Sequence, residues 1–214
     1  MIRKVRVLRF INNRLIEDDD YVADEFEVNI YINNKYITSS ILSPNNLEDF
    51  AYGFAISEGY LNVVDRVEID KNDICIFGYK KEYRQNKVKI SKESLKRAIS
   101  YKIEPKYWKL TGAFHWATMF KDDLIVFVED IGRHNAVDKV IGYCYRKGYN
   151  LNELILRYSG RINSEIMKKV INTNIPVVIS KSPPTYKAIE LAKKHNILLI
   201  GFLRDDRYNI YTGL

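Results

Sequence analysis

Cysteine is scarce in this chain. Cys75 and Cys144 are the only two among 214 residues and form no C-x-x-C pair, which excludes a disulfide framework and a cysteine-based zinc site. Long apolar runs are missing too: the longest clean one, Ile197 to Leu203, has a glycine inside it and falls well short of the roughly 20 residues of a membrane span. The N-terminus alternates charge with aliphatics (Arg3, Val5, Arg6, Val7, Leu8, Arg9) where a signal peptide needs a continuous apolar block, so a soluble cytoplasmic protein with no membrane partner is expected. No internal repeat or low-complexity tract is visible. What is present is an ordinary globular composition, 46% apolar and 29% charged, which excludes disorder, collagen and coiled coil and suffices for a sizeable core. The 34 Lys and Arg outnumber the 27 Asp and Glu, for a net charge of +7, a balance that favours anionic partners without naming one.

The apolar pattern changes character near residue 105. Residues 1–105 read as a smaller, mostly β region with one clear helix. Val5 to Phe10, Glu25 to Ile32 and Tyr36 to Leu42 are β-branched and aromatic runs, and Asn33-Asn34 suits a hairpin turn. Ser43-Pro44 predicts a helix start, with Ser43 as N-cap and Pro44 at the first helical position, ahead of Leu47, Phe50, Ala51 and Phe54 at helical spacing; Gly59 stops it. Strands return over 68–90, and Ser91 to Ile99 carries a weak helical pattern. Residues 106–214 instead alternate buried-looking strands (Leu124 to Val128, Leu154 to Tyr158, Pro176 to Ser180, Ile197 to Leu203) with amphipathic helices, which is α/β organisation. Val137, Val140, Ile141 and Cys144 form one core face, and Ala188, Leu191, Ala192 and His195 another. His115 to Phe120 pairs with Leu124 to Val128 across Asp122-Asp123, giving a mixed sheet.

In such sheets ligands collect beyond the carboxyl ends of the strands, where loops lead into helix N-termini. Here the four loops are Glu129 to Asn135, Ser159 to Glu165, Lys181 to Thr185 and Arg204 to Arg207. Their glycines permit close backbone approach, their hydroxyls donate, and their arginines match phosphate oxygens in bidentate fashion, so a phosphorylated ligand is expected. Each signal has a plainer reading. His134 could simply cap the following helix, His115 could be a satisfied core or interface histidine, and His195 on an apolar helix face is read as structural. Glu58 is a helix-end carboxylate expected to meet a cation, and both cysteines are expected in the core.

The string Val128-Glu129-Asp130-Ile131-Gly132-Arg133-His134-Asn135-Ala136-Val137-Asp138-Lys139-Val140-Ile141-Gly142 is long and specific, and it resembles the FdhD family of formate dehydrogenase accessory proteins. The same order of motifs runs through Thr111-Gly112-Ala113-Phe114-His115, Ser159-Gly160-Arg161, Ser182-Pro183-Pro184-Thr185 and Gly201-Phe202-Leu203-Arg204 to Tyr211-Thr212, with Leu47 to Gly59 upstream. The resemblance implies a cytidine-deaminase-like, three-layer α/β/α domain with a mixed sheet over residues 106–214, preceded by the smaller β region and assembled as a homodimer. It implies a sulfurtransferase that takes persulfide sulfur from a cysteine desulfurase and passes it to the molybdenum bis(molybdopterin guanine dinucleotide) cofactor of formate dehydrogenase. The family's cofactor-contacting stretch falls on Phe202, Leu203, Arg204, Asp205, Asp206 and Arg207. Thr111, Gly112, His115, Gly132, Arg133, His134, Asn135, Ser159, Gly160, Arg161, Ser182 and Thr185 join them as expected cofactor-binding residues, with no catalytic residue and no metal ligand assigned.

The sequence departs from that pattern where the family carries a C-x-x-C loop ahead of its Thr-Gly-Gly segment. Between Ser91 and Leu110 there is no cysteine, Ala113 stands for the second glycine, and Pro184 stands for an alanine. A zinc deaminase needs H-x-E and P-C-x-x-C, whereas His115-Trp116-Ala117 has alanine at the glutamate position, so no zinc is expected. The reading is a cofactor binder required for sulfuration or delivery. The alternatives are the family's own sulfur carrier and a basic nucleotide- or RNA-binding module.

Overall fold

The computed structural model describes residues 1–82, 90–205 and 207–213; part of the strand region expected over 68–90, and Asp206, lie outside the described residues. The N-terminal region opens with a hairpin of β1 (Ile2–Ile11) and β2 (Arg14–Ala23). It continues with β3 (Phe26–Ile32), β4 (Lys35–Leu42), helix α1 (Leu47–Ser57), β5 (Val63–Asp70) and β6 (Asp73–Tyr79). These last four strands form one sheet in the order β4-β3-β6-β5. Val28, Ile30, Ile74 and Ile76 on one face of it bury against Phe50, Ala51 and Ala55 of α1. The Asn33-Asn34 turn is as read from sequence: both residues take positive φ, 49° and 64°, as a tight hairpin between right-twisted strands requires.

Helices α2 (Lys92–Ser100) and α3 (Lys106–Thr111) lead into the second sheet. Its strands are β7 (His115–Phe120), β8 (Leu124–Asp130), β9 (Ile155–Tyr158), β10 (Val177–Ser180), β11 (Leu198–Gly201) and β12 (Asn209–Thr212). Helices α4 (Arg133–Arg146), α5 (Ser164–Thr173) and α6 (Tyr186–Lys194) alternate with them. The order is β12-β11-β10-β9-β7-β8. β9, β10 and β11 are parallel, β7 opposes both β8 and β9, and β12 opposes β11. The sheet is mixed, and β8, β9, β10 and β11 all end at one edge. Alternation along each strand supplies two cores. Leu156, Tyr158 and Val178 face Val137, Val140, Ile141 and Met167 of α4 and α5, while Ile155, Val177 and Ile179 face Ala98 of α2. This is a three-layer α/β/α domain.

The two regions are joined helix to helix. A Cβ on Gly53 would lie 1.7 Å from the carbonyl oxygen of Asp138, and one on Gly142 would lie 1.8 Å from that of Asp49, so α1 and α4 cross with backbones in contact that only glycine permits. Around the crossing, Lys169 Nζ lies 2.8 Å from Asp138 Oδ1, 3.1 Å from Ser57 Oγ and 2.5 Å from Glu58 Oε1. Glu58 thus meets the cation its position at the helix end predicts.

Three local expectations change. Ser43 does not cap α1; Asn46 is the N-cap, in the left-handed region. Ser43 is instead drawn into the interior, where its N–H donates to Asp130 Oδ2 at 3.1 Å, its Oγ accepts from the Ile131 N–H at 3.2 Å and its carbonyl accepts from Lys139 Nζ at 2.9 Å. A buried aspartate and lysine outweigh a local capping preference because their own burial must be compensated. His195 is not on a core face: α6 ends at Lys194 and His195 is its exposed C-cap. Cys144 is fully buried, as expected, but Cys75 is only half-buried on the outer side of β6, the face opposite Ile74 and Ile76.

Candidate anion-binding site

The four loops lie along one edge, because the strands that carry them end there, but they do not share a single cavity: the Gly132 loop lines one and the Lys181 and Arg204 loops another. They are also tied to one another. Ser159 Oγ accepts from the Trp116 N–H at 3.0 Å and lies 3.3 Å from His115 Nδ1. Ser182 Oγ donates to the Ser159 carbonyl at 2.8 Å, and Ser180 Oγ donates to the Gly160 carbonyl at 2.6 Å. The Leu203 N–H donates to the Ser180 carbonyl at 3.0 Å. A Cβ on Gly160 would meet Arg133 Cδ at 3.1 Å, so this glycine lets the Arg133 side chain lie across the loop. Thr185 caps α6 through the Ala188 N–H. Most of the hydroxyls in the predicted set therefore build the edge and hold its shape.

Asn135 is similarly engaged, with Nδ2 donating to the Ile41 carbonyl at 2.8 Å and to Asp130 Oδ1 at 3.3 Å. Thr111 Oγ1 bonds the Tyr107 carbonyl, and Gly112 takes φ 69° at the end of α3. The Arg161 side chain is exposed, while its carbonyl accepts from Tyr158 Oη at 2.7 Å. His115 and His134 are partly buried. Burial, with Arg133 beside it, lowers the pKa of His115, and burial, with Lys169 and Arg133, lowers that of His134. Both are neutral near pH 7 and can accept or donate a hydrogen bond at the edge. A shallow cavity of about 420 Å³ beside Ala113, Ile131 and Gly132 brings the Thr111–Ala113 and Gly132 motifs together.

A larger cavity of about 520 Å³ opens on the α2 side of the same edge. It is lined by Ser100, Tyr101, Lys102, Arg157, Lys181, Leu203, Arg204 and Asp205, with Ile99 and Ile103. Leu203, Arg204 and Asp205 belong to the predicted stretch. The first of the flanking residues, Phe202, has φ 55°, an uncommon conformation for a bulky side chain that marks a constrained position. Arg204 Nη1 donates to the Lys181 carbonyl at 2.6 Å, which fixes two cationic residues beside one another.

Sequence reading missed Arg157. It lies within β9, where β-strand periodicity sends Tyr158 to the α4 side and Arg157 to the α2 side. Its Nη1 donates to the carbonyls of Ala98 at 2.7 Å and Tyr101 at 2.9 Å, so the C-terminal end of α2 supplies partial negative charge. Among the described residues no carboxylate lies within ion-pair distance, and Nε has no hydrogen-bond partner. Arg157 is only 4% exposed, and burial lowers its pKa to about 10. A lone charged residue inside an otherwise apolar strand run was the available signal. Lys102 and Lys181 carried none, since both look like ordinary surface lysines until the fold brings them to one cavity.

The chain compares closely with known proteins. The model of the FdhD/NarQ family matches residues 23–97 and 76–214. Protein FdhD of Methanocaldococcus jannaschii is 57% identical over 221 residues, covering 100% of this chain and 97% of that protein. Sulfur carrier protein FdhD of Bacillus licheniformis is 30% identical over 246 residues, covering 97% of this chain and 94% of its own length. That alignment is longer than the 214 residues of this chain, so the bacterial relative carries insertions. A crystal structure from Desulfotalea psychrophila, described as a formate dehydrogenase accessory protein, superposes with a TM-score of 0.80 at 25% identity, covering 99% of this chain and 96% of that one.

Proposed function

Since this chain belongs to the FdhD/NarQ family, we propose that it serves the maturation of formate dehydrogenase by binding the molybdenum bis(molybdopterin guanine dinucleotide) cofactor, with anionic groups of that ligand held in the Arg157 cavity. The observation that carries the reading is a buried arginine, without a carboxylate partner among the described residues, in a cavity that also gathers Lys102, Lys181 and Arg204. Burying a charge is costly unless it is paired, and a diphosphate supplies the missing negative charge in a form that guanidinium and ammonium groups bind well. The residues present therefore fit the dinucleotide part of the cofactor. Phe202, 37% exposed beside Leu203, offers a ring on which a guanine can stack. When bound, the cofactor brings the metal and dithiolene chemistry; the protein's contribution is binding and orientation.

In this reading the chain does not itself carry transferable sulfur. Persulfide relay needs an accessible thiolate. Cys144 has no exposure, and burial, with Asp49 nearby, pushes its pKa up to about 12. Burial, with Asp73 and Glu68, also raises the pKa of Cys75, which sits on the four-stranded sheet and lines neither cavity. Titration calorimetry with GDP tests the binding. Saturable binding that Arg204→Ala weakens is expected, and no binding to wild type overturns the site. Incubation with a cysteine desulfurase and radiolabelled cysteine should leave the protein unlabelled. Reductant-labile label on either cysteine would restore the sulfur-carrier function that the bacterial relatives' names state.

A further inference from the structure

We propose that the segment from Tyr101 to Ala113 is a strap held by two buried charges of opposite sign, Arg157 at its start and Glu129 at the head of α3, and that an anion in the Arg157 cavity draws it closed. The closure rests on the binding reading above; the clamp does not. Arg157 lies opposite Thr118 and Glu129 opposite Trp116, on either side of β7, so both project from the same face of the six-stranded sheet. Glu129, like Arg157, is almost fully buried, at 5% exposure. Among the described residues neither forms an ion pair, and each is compensated by main-chain groups. Arg157 Nη1 donates to the Ala98 and Tyr101 carbonyls, where α2 ends. Glu129 Oε1 accepts from the Trp108 N–H at 2.8 Å and Oε2 from the Tyr107 N–H at 3.1 Å, where α3 begins. A cation at a helix C-terminus and an anion at a helix N-terminus is the arrangement that helix dipoles favour.

Packing holds the strap only lightly. Tyr101 and Ile103 rest partly buried on the α2-side core, but α3 has no buried residue and enters no core cluster. Its Trp108 and Leu110 are 51% and 40% exposed, and Gly112 ends it with φ 69°. A segment that buries so little apolar surface opens at low free energy. Its position matters because Tyr101, Lys102 and Ile103 line the larger cavity and Ala113 the shallower one. Closure follows from where the cations are carried. Lys102 belongs to the strap, whereas Arg157, whose Nε has no partner, Lys181 and Arg204 belong to the sheet and its loops. A diphosphate held by these three and by Lys102 bonds to the strap and to the sheet at once, and by linkage closure and binding then reinforce one another.

Hydrogen exchange of the full chain, read by mass spectrometry with and without GDP, tests both parts. Glu129→Gln, which replaces one acceptor oxygen by an amide group, should speed exchange at Tyr107 and Trp108 by about tenfold or more, the scale of a lost hydrogen bond to a charged group. Exchange in β9 and β10 should stay as in wild type. No acceleration in the strap, or equal acceleration in the strap and in those strands, would overturn the clamp. GDP should slow exchange over residues 101–113 in wild type. Lys102→Ala, a change at an exposed position, should still bind GDP but lose that slowing. GDP binding that leaves strap exchange unchanged in wild type, or slows it equally in Lys102→Ala, would overturn the closure. Absence of GDP binding to wild type in calorimetry would overturn the cavity reading and the closure with it, and the Glu129 comparison, made without ligand, decides the clamp in either case.

Discussion

The two faces of the six-stranded sheet bury cations in opposite ways. On the α4–α5 side, Lys139 lies 2.5 Å from Asp130, and Lys169 lies 2.8 Å from Asp138 with Glu58 beyond. Burial disfavours both ammoniums: at Lys169 Asp138 and Glu58 outweigh it and the pKa is raised, whereas at Lys139 burial outweighs Asp130 and the pKa is lowered. On the α2 side, Arg157 is buried among carbonyls without a carboxylate among the described residues, and its pKa falls. A cation neutralised by the fold is part of the fold, and one left to carbonyl dipoles beside a cavity is available to a ligand. Strand parity sends Arg157 to the α2 side, whereas the paired lysines are carried by α4 and α5 and meet their carboxylates where those helices pack against the N-terminal region.

Breaking the paired side should produce the largest effect. Asp138→Ala leaves Lys169 with the exposed Glu58 as its counter-charge and Ser57 Oγ as a neutral partner, and should cost about 3–5 kcal/mol in urea unfolding. Replacing both members together, Asp138→Leu with Lys169→Met, should cost distinctly less, since no uncompensated charge remains. If the single and double variants lose the same stability, the pairing account is wrong.

On the unpaired side the effect should fall on ligand affinity. Arg157→Met should weaken GDP binding by about 1.5–3 kcal/mol, the worth of hydrogen bonds to a charged group, while lowering stability less than Asp138→Ala does. Calorimetry and urea unfolding of the same preparation read both quantities. A variant that unfolds readily but binds GDP as wild type would place Arg157 with the structural cations.

A smaller effect separates the two histidines at the edge. His115 and His134 have folded-state pKa values below 6.5, so the unfolded chain binds more protons over the window between those values and 6.5. Stability should therefore fall as pH drops through that window and level off below it. His134→Asn should flatten part of this slope in pH-dependent unfolding; an unchanged slope would mean that His134 is not held neutral by its surroundings.

The smallest effect should come from the cysteines. Cys75→Ser lies on a half-exposed strand face away from either cavity, and GDP affinity should stay within about 0.5 kcal/mol of wild type, the range of a remote surface change. A larger loss would bring Cys75 into the function of the site.

Legibility in the sequence follows the range of the interaction that decides each feature. Strands β7 to β11 of the second sheet, the buried stripe Val137, Val140, Ile141 and Cys144, and the stop at Gly59 were readable because period and turn chemistry act over a few residues, whereas β12, a short edge strand, was not. Ser43 was misread as a helix cap because its partners, Asp130 and Lys139, lie more than eighty residues away. β2 was missed for a similar reason: Asp18, Asp19 and Asp20 oppose strand formation locally, and only the register with β1 supplies Lys4 and Arg9 as their counter-ions.

The binding edge divides along the same line. The motifs from Glu129 to Asn135, Ser159 to Arg161, Ser182 to Thr185 and Phe202 to Arg207 mark out the family and the loops, since each is a contiguous string whose backbone demands are local. Which of their side chains stay free was decided in three dimensions. Ser159 and Ser182 are consumed in tying loops together, Asn135 in holding β4, and Arg157, Lys102, Lys181 and Arg204 meet at one cavity only because parallel strands end in register and neighbouring residues of a strand face opposite layers. Sequence order carries local propensity; the pairing of distant charges and the sharing of a cavity depend on tertiary packing, which sets their distances.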